Sequence, residues 1–121
     1  FINRSNQFWY DKFIKNKKSI YHWKAAMRKI KELTDRHGVD LYVAHPRFHM
    51  WHDYFPEFNQ DFEAMIAREL SDINVNYFLV TSHSDNLTEK EINVFINDYH
   101  PSPRAVRYFA EELYDDIKDS L

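Results

Sequence analysis

An α/β fold, a doubly wound parallel sheet covered by helices in three layers, is predicted by three observations. The runs Leu41-Tyr42-Val43 and Tyr77-Phe78-Leu79-Val80 are apolar at consecutive positions rather than at alternate ones, as in strands whose two faces are both covered. Each run follows a stretch with apolar residues three or four apart, the spacing of an amphipathic helix. The chain then ends in a third such stretch opened by Ser102 and Pro103. The domain boundary expected is a single α/β domain over residues 1–121, or the carboxy-terminal portion of one.

The elements follow in order. Residues 1–18 combine Phe1, Phe8, Trp9, Tyr10 and Phe13 with the basic Lys15, Lys17 and Lys18, which predicts a packed lead-in with one solvated face. From Ser19 as N-cap, Ile20, Trp23, Met27, Ile30 and Leu33 trace a helix, with Trp23 in the core and Gly38 placed to cap the carboxyl end. Val39 to Ala44 is too short for a helix and predicts a strand. A polar and aromatic loop, His45 to Phe58, leads to a second helix along Phe62, Met65, Ile66, Leu70 and Ile73. Val75 to Thr81 is the second strand. Thr88 and Glu91 have capping-box spacing and predict a short helix bearing Ile92, Phe95 and Ile96. A loop over Asn97 to Pro101 precedes the last helix, along Val106, Phe109, Ala110, Leu113 and Ile117, with Pro103 at its first position. Two strands apolar on both faces need neighbours on either side, so further strands are expected in preceding sequence, in a partner chain or in a symmetric copy. The start at Phe1 rather than methionine fits a piece of something longer.

Composition narrows the function classes. With 44% hydrophobic and 29% charged residues the chain is globular in type. A net charge of -3 and a pI near 6.2 give no electrostatic footprint for nucleic acid. No segment approaches the roughly 20 apolar residues of a membrane span. The absence of cysteine removes disulfides, thiolate metal sites and a cysteine nucleophile, and favours a cytoplasmic, reducing setting.

The segment richest in chemistry is Asn97-Asp98-Tyr99-His100-Pro101-Ser102-Pro103, running into Phe109-Ala110-Glu111-Glu112-Leu113. It resembles the last conserved block of the SGNH (GDSL-like) hydrolases, in which an aspartate, two residues and a histidine precede a proline, a small polar residue and an amphipathic helix. The preceding order of helix, strand ending at His45-Pro46, helix and strand is similar too, so the resemblance covers most of residues 19–121. It implies the carboxy-terminal half of a flavodoxin-like or SGNH-like fold. It also implies an esterase or acyltransferase in which His100 is the general base and an acidic partner orients it. Asn97 stands three before His100, where the family has aspartate, and Asp98 stands two before it, so either is the candidate orienter. Ala105 stands where the family usually has glycine. No Gly-Asp-Ser or Gly-x-Ser-x-Gly occurs, and the one glycine is Gly38. The nucleophile is therefore expected outside these residues, on preceding sequence or on a second chain carrying the amino-terminal half. The implied substrate is a small-molecule or glycan ester, with no cofactor.

Two further clusters border the same site in this reading. His45-Pro46-Arg47-Phe48-His49-Met50-Trp51-His52-Asp53 holds imidazoles and a carboxylate, but no third ligand at a known metal spacing. It reads as a substrate-facing wall of His45, Arg47, His49 and Trp51, with Arg47 able to pair with an anionic group. Thr81-Ser82-His83-Ser84-Asp85-Asn86 contains the residue types of a triad, yet triads are assembled from separate segments. It reads as a strand-to-helix turn that brings Ser82 and His83 to the pocket. The competing function is a noncatalytic binding or assembly module that docks a partner through the aromatic loop 45–58, anchored by Trp51, Tyr54 and Phe55.

Overall fold

The computed structural model describes residues 4–47, 55–80, 93–95 and 98–120. Helix α1 (Arg4–Trp9) passes through a π-helical turn (Tyr10–Ile14) to α2 (Lys17–Arg36), followed by β1 (Tyr42–Pro46), α3 (Pro56–Ser71) and β2 (Asn76–Val80). Strands β3 (Asn93–Phe95) and β4 (Asp98–Pro101) precede α4 (Pro103–Ile117) and a closing 3-10 turn (Lys118–Ser120). Strands β1 and β2 form a parallel pair, while β3 and β4 form an antiparallel one. The protein is thus a mixed helix-and-strand fold with a small parallel sheet. Parallel neighbours need a long crossover, here supplied by α3. No helix among the described residues is long and apolar enough to cross a membrane.

The chain divides into two compact units, Phe1–Val43 with Phe55–Tyr77, and Ala44–Tyr54 with Phe78–Leu121. In the first, Leu70, Ile73 and Val75 form the buried centre, with Trp23, Met27, Leu41, Val43, Ile66 and Tyr77 packed against it. The lead-in is held by aromatic contacts. Tyr10 meets Phe58 edge-on, Phe13 meets Phe62 likewise, and Phe58 stacks on Phe62. The Tyr10 hydroxyl donates to Asp61 Oδ2 at 2.6 Å. That bond to a carboxylate, with a smaller contribution from burial, pushes the phenol pKa up to about 12.

Helices α2 and α3 end in the same way. The Gly38 N–H bonds the Asp35 carbonyl and the Val39 N–H reaches the Thr34 carbonyl, with Gly38 at φ 63°. After α3, the Asn74 N–H bonds the Ser71 carbonyl and the Val75 N–H reaches that of Leu70, with Asn74 at φ 56°. Each is a Schellman turn, and at the second the expected apolar contact across the turn joins Val75 to Leu70. Gly38 was expected in this role, whereas Asn74 went unnoticed.

Several expectations need correction. Helix α2 begins at Lys17, and Asn16 caps it by accepting the Ser19 N–H at 3.1 Å, so Ser19 lies inside the helix. Only part of its predicted stripe is covered, since Ile30 and Leu33 are exposed. Strand β1 starts at Tyr42 rather than Val39, which is exposed. Where a helix was expected around Phe95, residues 93–95 are a strand, and the expected loop up to Pro101 is its antiparallel partner, with Asn93 opposite Pro101 and Phe95 opposite Asp98. Valine and phenylalanine suit a pleated surface, and pairing with β4 prevails over the local helical spacing. Thr88, Glu91, Ile92 and Ile96 lie outside the described residues.

Across the first unit, Lys24 donates to both Glu69 and Asp72 at 2.8 Å and is only 20% exposed. Its ammonium holds both carboxyls below their usual values, and the pair raises that of Lys24. A carboxyl whose pKa falls on folding stabilises above its unfolded value and loses that contribution as pH falls. The unfolding midpoint should therefore drop as pH is lowered below the ordinary carboxyl values of 4.5 and 3.8, and Lys24→Met should flatten that dependence in thermal melts. Nothing lies within 4 Å of a Cβ built on Gly38, so Gly38→Ala should cost only the left-handed backbone, about 1 kcal/mol in urea unfolding.

Candidate functional site

The site is built outward from Ser102. Its backbone is extended, and its Oγ accepts the Ala105 N–H at 3.1 Å, closing one orphan donor of α4. Pro103 removes another orphan by having no N–H, and the Val106 N–H bonds the Ser102 carbonyl at 3.0 Å. The sequence expectation of a serine cap followed by proline holds. The face that α4 buries keeps Phe109 and Leu113 of the expected stripe but is rotated away from Val106 and Ala110. Ala105, Phe109 and Glu112 are buried, while Val106 is exposed. The Ser102 side of the helix turns inward, carrying the 105, 109, 112 row with it.

That row meets the sheet. Val80, the last residue of β2, is buried in one cluster with Ala105 and Phe109, flanked by Leu113. The Val80 carbonyl in turn accepts the Arg47 N–H at 3.0 Å. This bond continues the parallel ladder beyond Pro46, which has no N–H to give. The carboxyl ends of β1 and β2, the amino end of α4 and the segment before it therefore belong to one packed unit. His100 lies on β4, exposed, two residues ahead of the Ser102 cap. In open α/β sheets the carboxyl ends of parallel strands are where ligands bind.

Of the residues singled out from sequence, the structure places His45 on β1 and Arg47 just after it, both half-buried, in the same unit as His100. Asp98 opens β4 opposite Phe95. Asn97, His49, Trp51, Ser82 and His83 lie outside the described residues, as do His52 and Asp53 of the histidine-rich loop. Among the described residues no three His, Asp or Glu side chains converge as metal ligands would. Sequence reasoning had Val80 in the second strand and noted Ala105, but missed that the two pack together and tie β2 to α4. The only trace of that junction was the small residue at 105 three positions after a capping serine.

Comparison with protein-family models, with curated proteins and with solved structures gives no match.

Removing the Ser102 hydroxyl leaves the buried Ala105 amide without its acceptor. Ser102→Ala should cost about 1 kcal/mol in urea unfolding, and amide hydrogen exchange should rise first at Arg104 to Val106.

Proposed function

We propose that this chain supplies the histidine base of an SGNH-type ester hydrolase or acyltransferase, with the serine nucleophile on sequence outside these residues. The observation that carries the reading is the position of His100. It is exposed on β4, two residues before a serine-capped helix that shares a buried cluster with the carboxyl end of β2. In the finer architecture proposed, β1 and β2 are neighbours in a larger doubly wound sheet of flavodoxin-like type, flanked by helices in three layers. The exposed Ile30 and Leu33 of α2 suit such an extension.

In the reaction, the His100 imidazole takes the proton of the serine hydroxyl as its oxygen attacks the ester carbonyl. It then returns the proton to the departing alcohol. Water or an acceptor hydroxyl, deprotonated by the same imidazole, releases the acyl group from serine. A carboxylate stabilises the imidazolium form better than an amide does. On that chemical ground Asp98 is the preferred orienting group and Asn97 the alternative. His45 and Arg47, at the end of β1, border the ester's acid or alcohol portion, together with His49, Trp51, Ser82 and His83. The substrate is a small-molecule or glycan ester.

The test is ester turnover in the assembly that contains the serine-bearing sequence, located by fluorophosphonate labelling. His100→Ala should lower kcat by roughly a thousandfold or more in a protein that remains folded, the side chain being exposed. Asp98→Asn should approach the same loss, and Asn97→Ala should cost less than about tenfold. Unchanged turnover in His100→Ala would remove the reading and leave the binding module, docking through loop 45–58, in its place.

A further inference from the structure

The net charge of -3 conceals an uneven distribution along the chain. Residues 1–37 hold ten Lys and Arg against three Asp and Glu, and residues 38–121 hold six against sixteen, so a formal charge of +7 stands beside one of -10. Most of the positive part is on α2, which carries seven cations against Glu32 and Asp35 in its 20 residues. A separation of charge on this scale points to contact with a polyanion, membrane or nucleic acid. The helix also sorts its charges by face. Trp23 and Met27 pack inward on Leu70, Ile73 and Val75, and Lys24 directs its charge to Glu69 and Asp72 of the same unit. Away from that face, Lys18, Tyr21, Arg28, Lys29 and Arg36 recur three, seven or eight residues apart, the spacing of one helix flank. All five are exposed, Tyr21 at 69% and the Lys29 side chain at 81%. From Lys18 to Arg36 the flank runs about 27 Å at 1.5 Å per residue. One acid interrupts it, Glu32, which accepts from Lys29 Nζ at 3.1 Å. The exposed Ile30 and Leu33 lie on a different flank, so the sheet extension proposed above leaves the cations uncovered.

The overall negative charge does not oppose such a contact. At physiological ionic strength a charge acts over about 8 Å, less than the roughly 10 Å diameter of a helix. A surface touching the cationic flank meets those cations directly, while Glu69 and Asp72 of α3, engaged by Lys24 on the core side, are screened from it. The shape of the flank selects between the two polyanions. A straight, convex ridge with its cations in line touches a plane along its whole length, whereas single-stranded nucleic acid is held in a groove with successive aromatic platforms, and the flank has one aromatic ring. That ring is a tyrosine, a residue favoured at the level of lipid headgroups. We propose that α2 docks the protein reversibly on an anionic lipid bilayer, with Lys18, Arg28, Lys29 and Arg36 at the headgroups and Tyr21 in the interfacial layer. The apolar face of the helix stays in its own core, so the attachment is electrostatic and nothing is inserted among the acyl chains. The proposal stands on the first unit alone and does not depend on the acyl-transfer reading.

The experiment is co-sedimentation of the 121-residue chain with phosphatidylcholine vesicles containing about 30% phosphatidylserine, beside vesicles of phosphatidylcholine alone. The chain should bind the anionic vesicles at about 50 mM NaCl, ignore the neutral ones, and be released at about 1 M NaCl, where screening reaches within roughly 3 Å. Lys18→Glu combined with Lys29→Glu should lower the partition coefficient about twentyfold or more. Arg107→Glu combined with Lys118→Glu makes the same change in net charge on α4 and the turn after it, and should lower it less than about threefold. All four side chains are exposed, and thermal melts check that both variants are folded. Absence of binding to the anionic vesicles overturns the proposal, as does equal binding to the neutral ones or an equal loss in the two double variants. Tighter binding to oligothymidylate than to vesicles at equal anionic charge assigns the flank to nucleic acid and overturns it too. Sedimentation reads no turnover, so its outcome is separate from that of the ester assay.

Discussion

The backbone carbonyl of Leu70 governs the route of the chain through the first unit. It accepts the Ile73 and Val75 N–H groups at 3.1 and 3.0 Å, and the side chain of the same residue is fully enclosed. One residue therefore ends α3, reverses the chain and anchors the core into which the reversed chain returns. A parallel strand pair has no tight turn to set its register, so the points where helices stop decide where strands begin. Val75 is both the donor that closes this turn and a member of the buried cluster, and Asn76 starts β2 immediately after it. The Lys24 ion pairs bind α2 to the last turn of α3 and hold the same junction from outside.

At its other end β2 determines the candidate site. Val80 has two separate roles, since its side chain packs with α4 and its carbonyl continues the ladder to Arg47. A helix whose amino end is capped by Ser102 and whose first turn is buried against that residue leaves the preceding segment little choice of position. His100 is on that segment. The placement of a chemically capable side chain thus follows from ordinary packing and capping, not from any special backbone strain at the histidine.

What the sequence made legible were features with a local cause. Gly38, Ser102 and Pro103 are residues whose backbone or side-chain chemistry specifies a helix end without help from elsewhere, and all three stand where expected. The apolar runs at 41–43 and 77–80 identified both strands of the parallel pair because length and composition sufficed. What was not legible lay in pairing and packing that residue spacing does not report. The strand at 93–95 pairs with 98–101, only a few residues on, while the spacing of Ile92, Phe95 and Ile96 reads as helix. Asn74 occupies a position more often held by glycine, so its turn was silent. In α4 Phe109 and Leu113 face inward as expected, but the first turn was misjudged because Val106 is the more apolar residue, whereas close packing favours the smaller Ala105. At the site itself, the histidine and its cap were readable from one motif.

The full burial of Ala105 also bears on how far this chain can vary without losing its shape. A methyl group fills the space between the first turn of α4 and the end of β2, and a branched or longer side chain would have to lever the helix outward. Glycine would fit, though it would relinquish up to about 1 kcal/mol of helix propensity. Position 105 is therefore confined to two residues, glycine permitting the closest approach and alanine the firmer amino-terminal turn.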